Sequence, residues 1–497
     1  MKRTGTLLLA MLMLLSSLAS CSDAGSDETE TQAPADSGTA ADTAVAEETD
    51  GNSRSAIKDN LPEITFDGRE YRAAQQVGNK YEFYSEELTG EGANDAVFNR
   101  NLYVESRFDV KIQSVDYSGL SAITSDVEKL VASGTDAYEV ASHGAYKSYV
   151  PIRAGVYRNW NEVKDVDFTQ PWWNRLANEQ NTINGILYTA TGDINISSLL
   201  NTYAIFFNVS LAENYGITPE SLYSLVYEGT WTIDKLIEIT SAIYEDTNGD
   251  GQRDNADTYG YAAWPGISAD AWLAAFDQPI TAKDEDGFPT VAFMTEKTVA
   301  ALEKVSGFYY NTTGAYADMD TPEYEVTMFV NEQVVMVPSI FNDAFTNYRY
   351  MDSAYGIIPY PKWDEAQERY LTNARDQYTV LGIPSFKKDS DLEFIGVITE
   401  ALAAESYRSV FPEYYDIALK GKYSLDQDTA NMVDLVLSGR NFDFAFLFGE
   451  SEFQKVPYMF RDMLEGRKTD IASEYAKIKK ALGKSVQKLK GYYTVEE

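Results

Sequence analysis

The stretch Asp246–Asp257, DTNGDGQRDNAD, places hard oxygen donors at a fixed spacing. Counted from Asp246, side-chain oxygens stand at positions 1, 3, 5, 9 and 12, supplied by Asp246, Asn248, Asp250, Asp254 and Asp257. Gly251 holds position 6, where a calcium loop turns sharply, and Gln252 follows with its carbonyl. Carboxylates this close in sequence repel one another unless a cation sits among them, and an all-oxygen set suits a small hard ion. The spacing predicts a Ca²⁺ site; a solvated acidic loop without an ion is the alternative. Position 12 is Asp, one methylene shorter than the usual Glu, and TYGYAAWPG after it reads as strand and turn instead of an exiting helix. The role expected of the loop is therefore structural.

Other chemistry has little to stand on. His143 is the only histidine, which rules out within this chain any centre that needs two and makes a Ser-His-Asp hydrolase hang on one residue. Cys21 is the only cysteine, so no disulfide and no thiolate cluster can form within the chain. No G-x-S-x-G, H-E-x-x-H or glycine-rich phosphate loop with lysine is present. Paired-carboxylate glycoside hydrolysis stays open at this level, because 77 acidic residues supply many pairs of unknown separation.

The chain that must position these groups has 497 residues, 44% hydrophobic and 13% aromatic, enough for more than one compact unit. A net charge of −36 disfavours nucleic acid and anionic membrane surfaces as partners. MKRTGTLLLAMLMLLSSLASC has two basic residues, an apolar run from Leu7 to Leu15 and then small residues, the layout of an export signal. The run is too short to span a bilayer comfortably. With Cys21 after LAS, it resembles the lipobox of bacterial lipoproteins, which implies cleavage before the cysteine and lipidation of its thiol. Residues 22–60 read as a solvated tether, since 22–50 carry nine acidic residues and no basic one.

From Leu61 short strand-like runs alternate with amphipathic helices, an α/β pattern. EITFDGREYRAA and FDVKIQSVDY alternate as strands, with AVFNRNLYVESRF helical between them. SAITSDVEKLVASG spaces Ile123, Val127 and Leu130 as a helix stopped by Gly134. Tyr203–Phe207 reads as a buried strand, and TIDKLIEITSAIYED as a helix capped by Thr232. EQVVMVPSI, AYGIIPYPKW and YTVLGIP are further strands. The tail, with Ile471, Tyr475, Ile478, Leu482 and Leu489 at helical spacing, should pack its apolar face on the body and leave its lysines in water.

NDAVFNRNLYVESRFDVKI, DFTQPWWNRLANEQNTINGILYTATGDI, YAIFFNVSLAENYGI, GTWTIDKLIEI and EDTNGDGQRDNADTYGYA, in this order, resemble the extracellular solute-binding lipoproteins of ABC importers, family 1, of mostly sugar-binding type, in the large calcium-loop subgroup. The resemblance covers roughly residues 62–497. It implies a two-lobe periplasmic-binding-protein-like α/β fold of type II, with a ligand cleft at the hinge. The implied lobes are 61–190 and 326–378 for the first, 191–325 and 379–497 for the second, with 1–21 as signal and crossings near Leu187–Asp193 and Thr379–Ile383. It further implies a monomer outside the cytoplasmic membrane, held by its lipid alone, which captures a carbohydrate by lobe closure without bond chemistry and delivers it to permease subunits. A secreted carbohydrate-active enzyme and a surface adhesin or scaffold are the alternatives. The cleft residues expected on this reading are His143, Tyr146, Trp172, Trp173, Asn174, Arg175, Asp193, Trp264, Asn342 and Asp343. Many relatives have a lysine after the step FFN; here it is Val209.

Overall fold

The structure is a computed structural model that describes residues 54–318, 323–415 and 427–494. Residues 1–53, which hold the expected signal, Cys21 and most of the expected tether, lie outside the described residues. The strands in chain order are β1 (Arg69–Gln76), β2 (Val110–Tyr117), β3 (Val140–Gly144), β4 (Tyr203–Asn208), β5 (Tyr244–Glu245), β6 (Thr258–Ala263) and β7 (Thr281–Lys283). They continue as β8 (Pro289–Val291), β9 (Ala315–Ala317), β10 (Val334–Ile340), β11 (Tyr355–Ile358), β12 (Thr372–Asn373), β13 (Thr379–Gly382) and β14 (Arg440–Asn441).

Two larger sheets organise these strands. One runs β13-β3-β1-β2, with β1 parallel to β2 and β3, and β13 antiparallel to β3. The other runs β11-β4-β10-β6-β5, with β9 also on β6. β4 shows why the second sheet forms a central layer: YAIFFN is buried throughout. Ile205 and Phe207 enter one apolar core while Ala204 and Phe206 enter another, so both faces of the strand are covered. Pro338 is tolerated in β10 because β6 pairs only as far as Met336; beyond it the missing N–H leaves no ladder bond unmade on that side.

The helices carry the capping their sequence promised. Thr232 caps Ile233–Thr240 by accepting the Lys235 N–H, and Gly134 (φ 66°) ends Leu120–Ser133. The tail helix Ile471–Tyr492 buries Ile471, Tyr475, Leu482 and Leu489. Among the described residues no helix is long and apolar enough to cross a membrane.

Two expected boundaries are corrected. β10 and β11 flank β4 in the second sheet, so 326–378 belongs to the second lobe; the chain returns to the first lobe at 379, where β13 pairs with β3. The helix Asp389–Glu405 then packs Ile395, Ile398 and Leu402 in one core with Tyr71, Val104 and Phe108 of the first lobe. An apolar run specifies that a strand is buried, not which sheet buries it. Residues 54–60, expected in the tether, are fixed to the body: the Arg54 guanidinium stacks on Tyr407 and Phe411, and the Asp59 carboxylate pairs with Arg107 and Arg408.

The lobes are joined by segments that run side by side. After Ala190, which still bridges to Leu381, residues 193–202 lead into β4; residues 374–378 lead back from β12 to β13. Thr202 bridges Ala374, and the Arg375 N–H donates to the Asn201 carbonyl at 2.8 Å.

Candidate functional site

Along these crossing segments lies a groove in two parts. One part, about 300 Å³, is walled by Gln76, Asn79 and Tyr81 of the first lobe, Asn201 of the crossing and Asn342 of the second lobe. The other, about 330 Å³, is walled by Tyr146 of the first lobe and by Tyr458, Arg461, Asp462 and Glu465 of the second. Both parts share Arg375 and Gln377, which makes them one groove with the crossing segment along it.

Local structure sets each side chain. Tyr146 follows β3 on the turn Ala145–Lys147, and its N–H donates to the Asp376 carbonyl at 3.1 Å. Tyr458, Arg461, Asp462 and Glu465 share the helix Val456–Glu465, an amphipathic stretch whose apolar side holds Phe460, Met463 and Leu464 in the core. The Tyr458 hydroxyl donates to the Asp376 carboxylate at 2.5 Å. Burial pushes that carboxyl above the ordinary aspartate range despite the donor. Arg461 lies 4.7 Å from the Tyr458 ring centroid and donates to Asp270 at 2.7 Å. Arg375 stands 3.9 Å from Glu323, and an ion pair of Lys147 with Glu450 joins the lobes at the groove's edge.

Carboxylates, guanidiniums, amides and tyrosine faces on both walls suit a neutral, hydroxyl-rich ligand that both donates and accepts. Of the cleft acids, Asp376 and Glu450 are engaged by Tyr458 and Lys147, Asp462 and Glu465 each stand 3.9 Å from Arg461, and Asp270 behind the wall also pairs with Arg461. Ser197 and Glu82 both line the first part of the groove, but the Ser197 hydroxyl also accepts the Thr379 N–H and Glu82 is held by Thr379, so both groups are tied into the crossing segments.

Of the residues expected in the cleft, Tyr146 and Asn342 line it. Trp264 borders it, packed over Gly266 where Glu465 also points. The others do different work. His143 is fully buried, stacked 5.7 Å from Tyr157, and burial lowers its pKa to about 4. Trp172 and Trp173 are buried, and both indole N–H groups donate to the Glu400 carboxylate, at 2.8 and 2.7 Å. Asn174 caps the helix Arg175–Asn181 through the Ala177 N–H, and exposed Arg175 pairs with Glu179 one turn on. Asp193 starts the first crossing, its carboxylate 3.8 Å from Arg54 and its pKa raised by burial to about 7. The Asp343 carboxylate turns back to accept from Ser339 and Asn347. Val209 is 8% exposed and opens the helix Val209–Glu213.

Sequence reasoning missed Arg375, Asp376 and Gln377, a short polar run between two buried strands, and the polar face of Val456–Glu465. The first signal was legible in TNARDQYTVLG: three polar residues where the chain passes from one strand to the next.

The acidic loop joins β5 to β6, away from the groove's lining residues. Asp246 accepts the N–H groups of Gly249 and Gly251 at 2.7 and 2.9 Å, and Asp250 that of Gln252 at 2.7 Å. Gly249 and Gly251 take positive φ, 72° and 71°, which a side chain would resist. Asp257 is fully buried and accepts from Thr247, Asp254 and Tyr244. The donor set is all oxygen, as calcium requires; among the described residues, no three acidic, histidine or cysteine side chains converge as metal ligands.

No family model matches the sequence, and no curated protein matches it. Solved structures do. UgpB from Mycobacterium tuberculosis, in complex with glycerophosphocholine, is similar over 85% of this chain and 99% of its own, with a TM-score of 0.56 at 13% identity. The ABC substrate-binding protein Lmo0181 from Listeria monocytogenes, in complex with cycloalternan, is similar over 84% of this chain and 100% of its own (TM-score 0.52, 15% identity). The maltose-binding periplasmic protein MalE from Listeria monocytogenes, in complex with maltose, is similar over 87% of this chain and 100% of its own (TM-score 0.53, 13% identity). At such identities the likeness establishes the fold, the two-lobe α/β architecture of periplasmic-binding-protein-like solute-binding proteins.

Proposed function

We propose that this chain is an extracytoplasmic solute-binding protein, anchored through a lipidated Cys21, that captures a carbohydrate between its lobes and delivers it to an ABC permease. The observation that carries this reading is the polar groove along the crossing segments, with walls from both lobes. Tyrosine faces meet sugar C–H surfaces, while Arg375, Asp376, Arg461 and the amides meet hydroxyls. A ligand that touches both walls favours the closed arrangement by the free energy of those contacts, and the crossing segments absorb the movement. The groove's two parts, about 300 and 330 Å³, offer room for more than one sugar ring, which favours an oligosaccharide.

Support also comes from the neighbours, binding proteins described with cycloalternan and maltose. Glycerophosphocholine in another neighbour makes a phosphodiester the natural competitor, with Arg375 and Arg461 as the groups it would seek. In the acidic loop, Ca²⁺ is proposed as a brace held by Asp246, Asn248, Asp250, Gln252, Asp254 and Asp257; when bound it supplies charge neutralisation and no catalysis.

Calorimetric titration with maltodextrins, cyclic and linear glucans, monosaccharides, glycerophosphodiesters and peptides tests the reading. Saturable binding of an unaltered glycan is expected. Turnover of one of them, or binding restricted to a polymer or protein without lobe closure, would overturn it in favour of an enzyme or an adhesin.

A further inference from the structure

We propose that Glu82 is the anchor of the hinge pivot, a positioning residue whose carboxylate ties the first-lobe ends of both crossing segments together and so confines bending to the residues beyond them. The inference rests on the hinge closure proposed above. Glu82 ends the turn Val77–Glu82 after β1 and is 2% exposed. Its Oε1 accepts the main-chain N–H of Ser197 on the outgoing crossing at 3.0 Å, and both carboxylate oxygens lie 2.8 Å from Thr379 Oγ1 on the returning one. Ser142 on β3 donates to Oε2 at 3.4 Å.

Hydroxyls and an amide from both crossings surround this carboxylate. Asn195 Nδ2 donates to Thr379 Oγ1 at 2.9 Å, the Thr379 N–H donates to Ser197 Oγ at 2.9 Å, and the two hydroxyl oxygens are 2.9 Å apart. Ser197 Oγ takes the Thr379 N–H and has one proton of its own to give, to Glu82 or to Thr379 Oγ1. The Thr379 hydroxyl donates to Glu82. A neutral Glu82 keeps one carbonyl oxygen as acceptor but gains a donor facing the hydroxyls of Thr379, Ser197 and Ser142, which weakens the tie the carboxylate makes to both crossings.

The surroundings make this carboxylate responsive. Burial raises its pKa, while the Arg100 guanidinium, buried on the helix Gly92–Phe108, donates to the Glu82 carbonyl at 2.7 Å and favours the ionised form. Tyr81, Tyr414 and Arg375 line the same cavity; the groups from β3, the crossing and β13 are Ser142, Ser197 and Thr379, none of which titrates here. His143 stacks on Tyr157 and makes no bond to Glu82.

The test needs no ligand. In the full chain carrying Cys21→Ser, spin labels on Leu102→Cys and Tyr350→Cys, exposed positions of the first and second lobe (48% and 76%), report the interlobe distance distribution by electron double resonance. At the alkaline end of a pH series the wild type should give a narrow distribution that roughly doubles in width as the pH falls and Glu82 takes up its proton. Glu82→Gln, which reverses a donor, and Thr379→Val, which removes the hydroxyl at nearly constant shape, should be broad at every pH. Distributions of Thr379→Val that overlay the wild type, or acid broadening that persists in Glu82→Gln, would overturn the proposal. If Glu82→Gln fails to fold, Thr379→Val and the wild-type pH series decide it alone. Solute binding is read separately by calorimetry, so a failed pivot leaves the transport reading standing, and the reverse.

Discussion

Two indole N–H groups converging on Glu400 explain what Trp172 and Trp173 are for. Without them a carboxylate 3% exposed would keep only the long bond from the Asp167 N–H, at 3.4 Å, so the pair braces the first lobe instead of facing solute. Trp173→Phe should cost about 1–3 kcal/mol in urea unfolding, the penalty of a buried acceptor left short, with solute affinity unchanged. Burial outweighs the donors, the two indoles and the Asp167 N–H, and puts the Glu400 pKa at about 7, against 4.5 ordinarily. The folded state therefore favours the neutral acid, a contribution present in full below pH 4.5 and lost as pH rises through about 7. His143 works the other way: its pKa is lowered to about 4 from 6.5, so its contribution stands above 6.5 and fades as pH falls through about 4. Between these values the two slopes oppose each other. Glu400→Gln should remove one, leaving a melting temperature that climbs more steeply from acid toward neutral pH than the wild type's, as a scanning calorimetry series would record.

At the scale of elements, the sequence was most informative where periodicity is strong. The helices Leu120–Ser133 and Ile471–Tyr492, and β4, stand where their apolar spacing put them, because burial of one stripe or of both strand faces leaves a direct trace in residue type. Sheet membership left no such trace. VVMVPSI would be equally buried in either lobe, and only pairing with β4 and β6 assigns it. The groove was hardest to read because aromatic pairs and conspicuous charges drew attention to Trp172, Trp173 and Asp193, while Arg375 and Gln377 look like any loop. The acidic loop follows the same logic, conspicuous yet absent from the groove's lining. With an ion as its proposed brace, chelation should lower the melting temperature and readdition of calcium restore it, with the preferred solute unchanged; a melting curve indifferent to chelator would remove the ion from the account.

For the whole molecule, the Lys147–Glu450 pair links the lobes directly at the groove's edge. Both side chains are partly exposed, 18% and 39%, so solvent and salt screen the attraction and it contributes about 0–1 kcal/mol. Lys147→Ala should accordingly shift the closed population no more than about fivefold, and added salt should erase the difference in interlobe distance between variant and wild type. The pairing of β13 with β3 has a consequence of another kind, for the order in which the chain becomes a protein. The strands of the six-stranded sheet have all been synthesised once Ile358 is added, whereas the first sheet cannot close its β3 edge until Gly382 has followed. The lobe made from the earliest residues is thus the later to finish its sheet, and while it waits its unpaired strand edge is a target for chaperones and for mispairing with neighbouring chains.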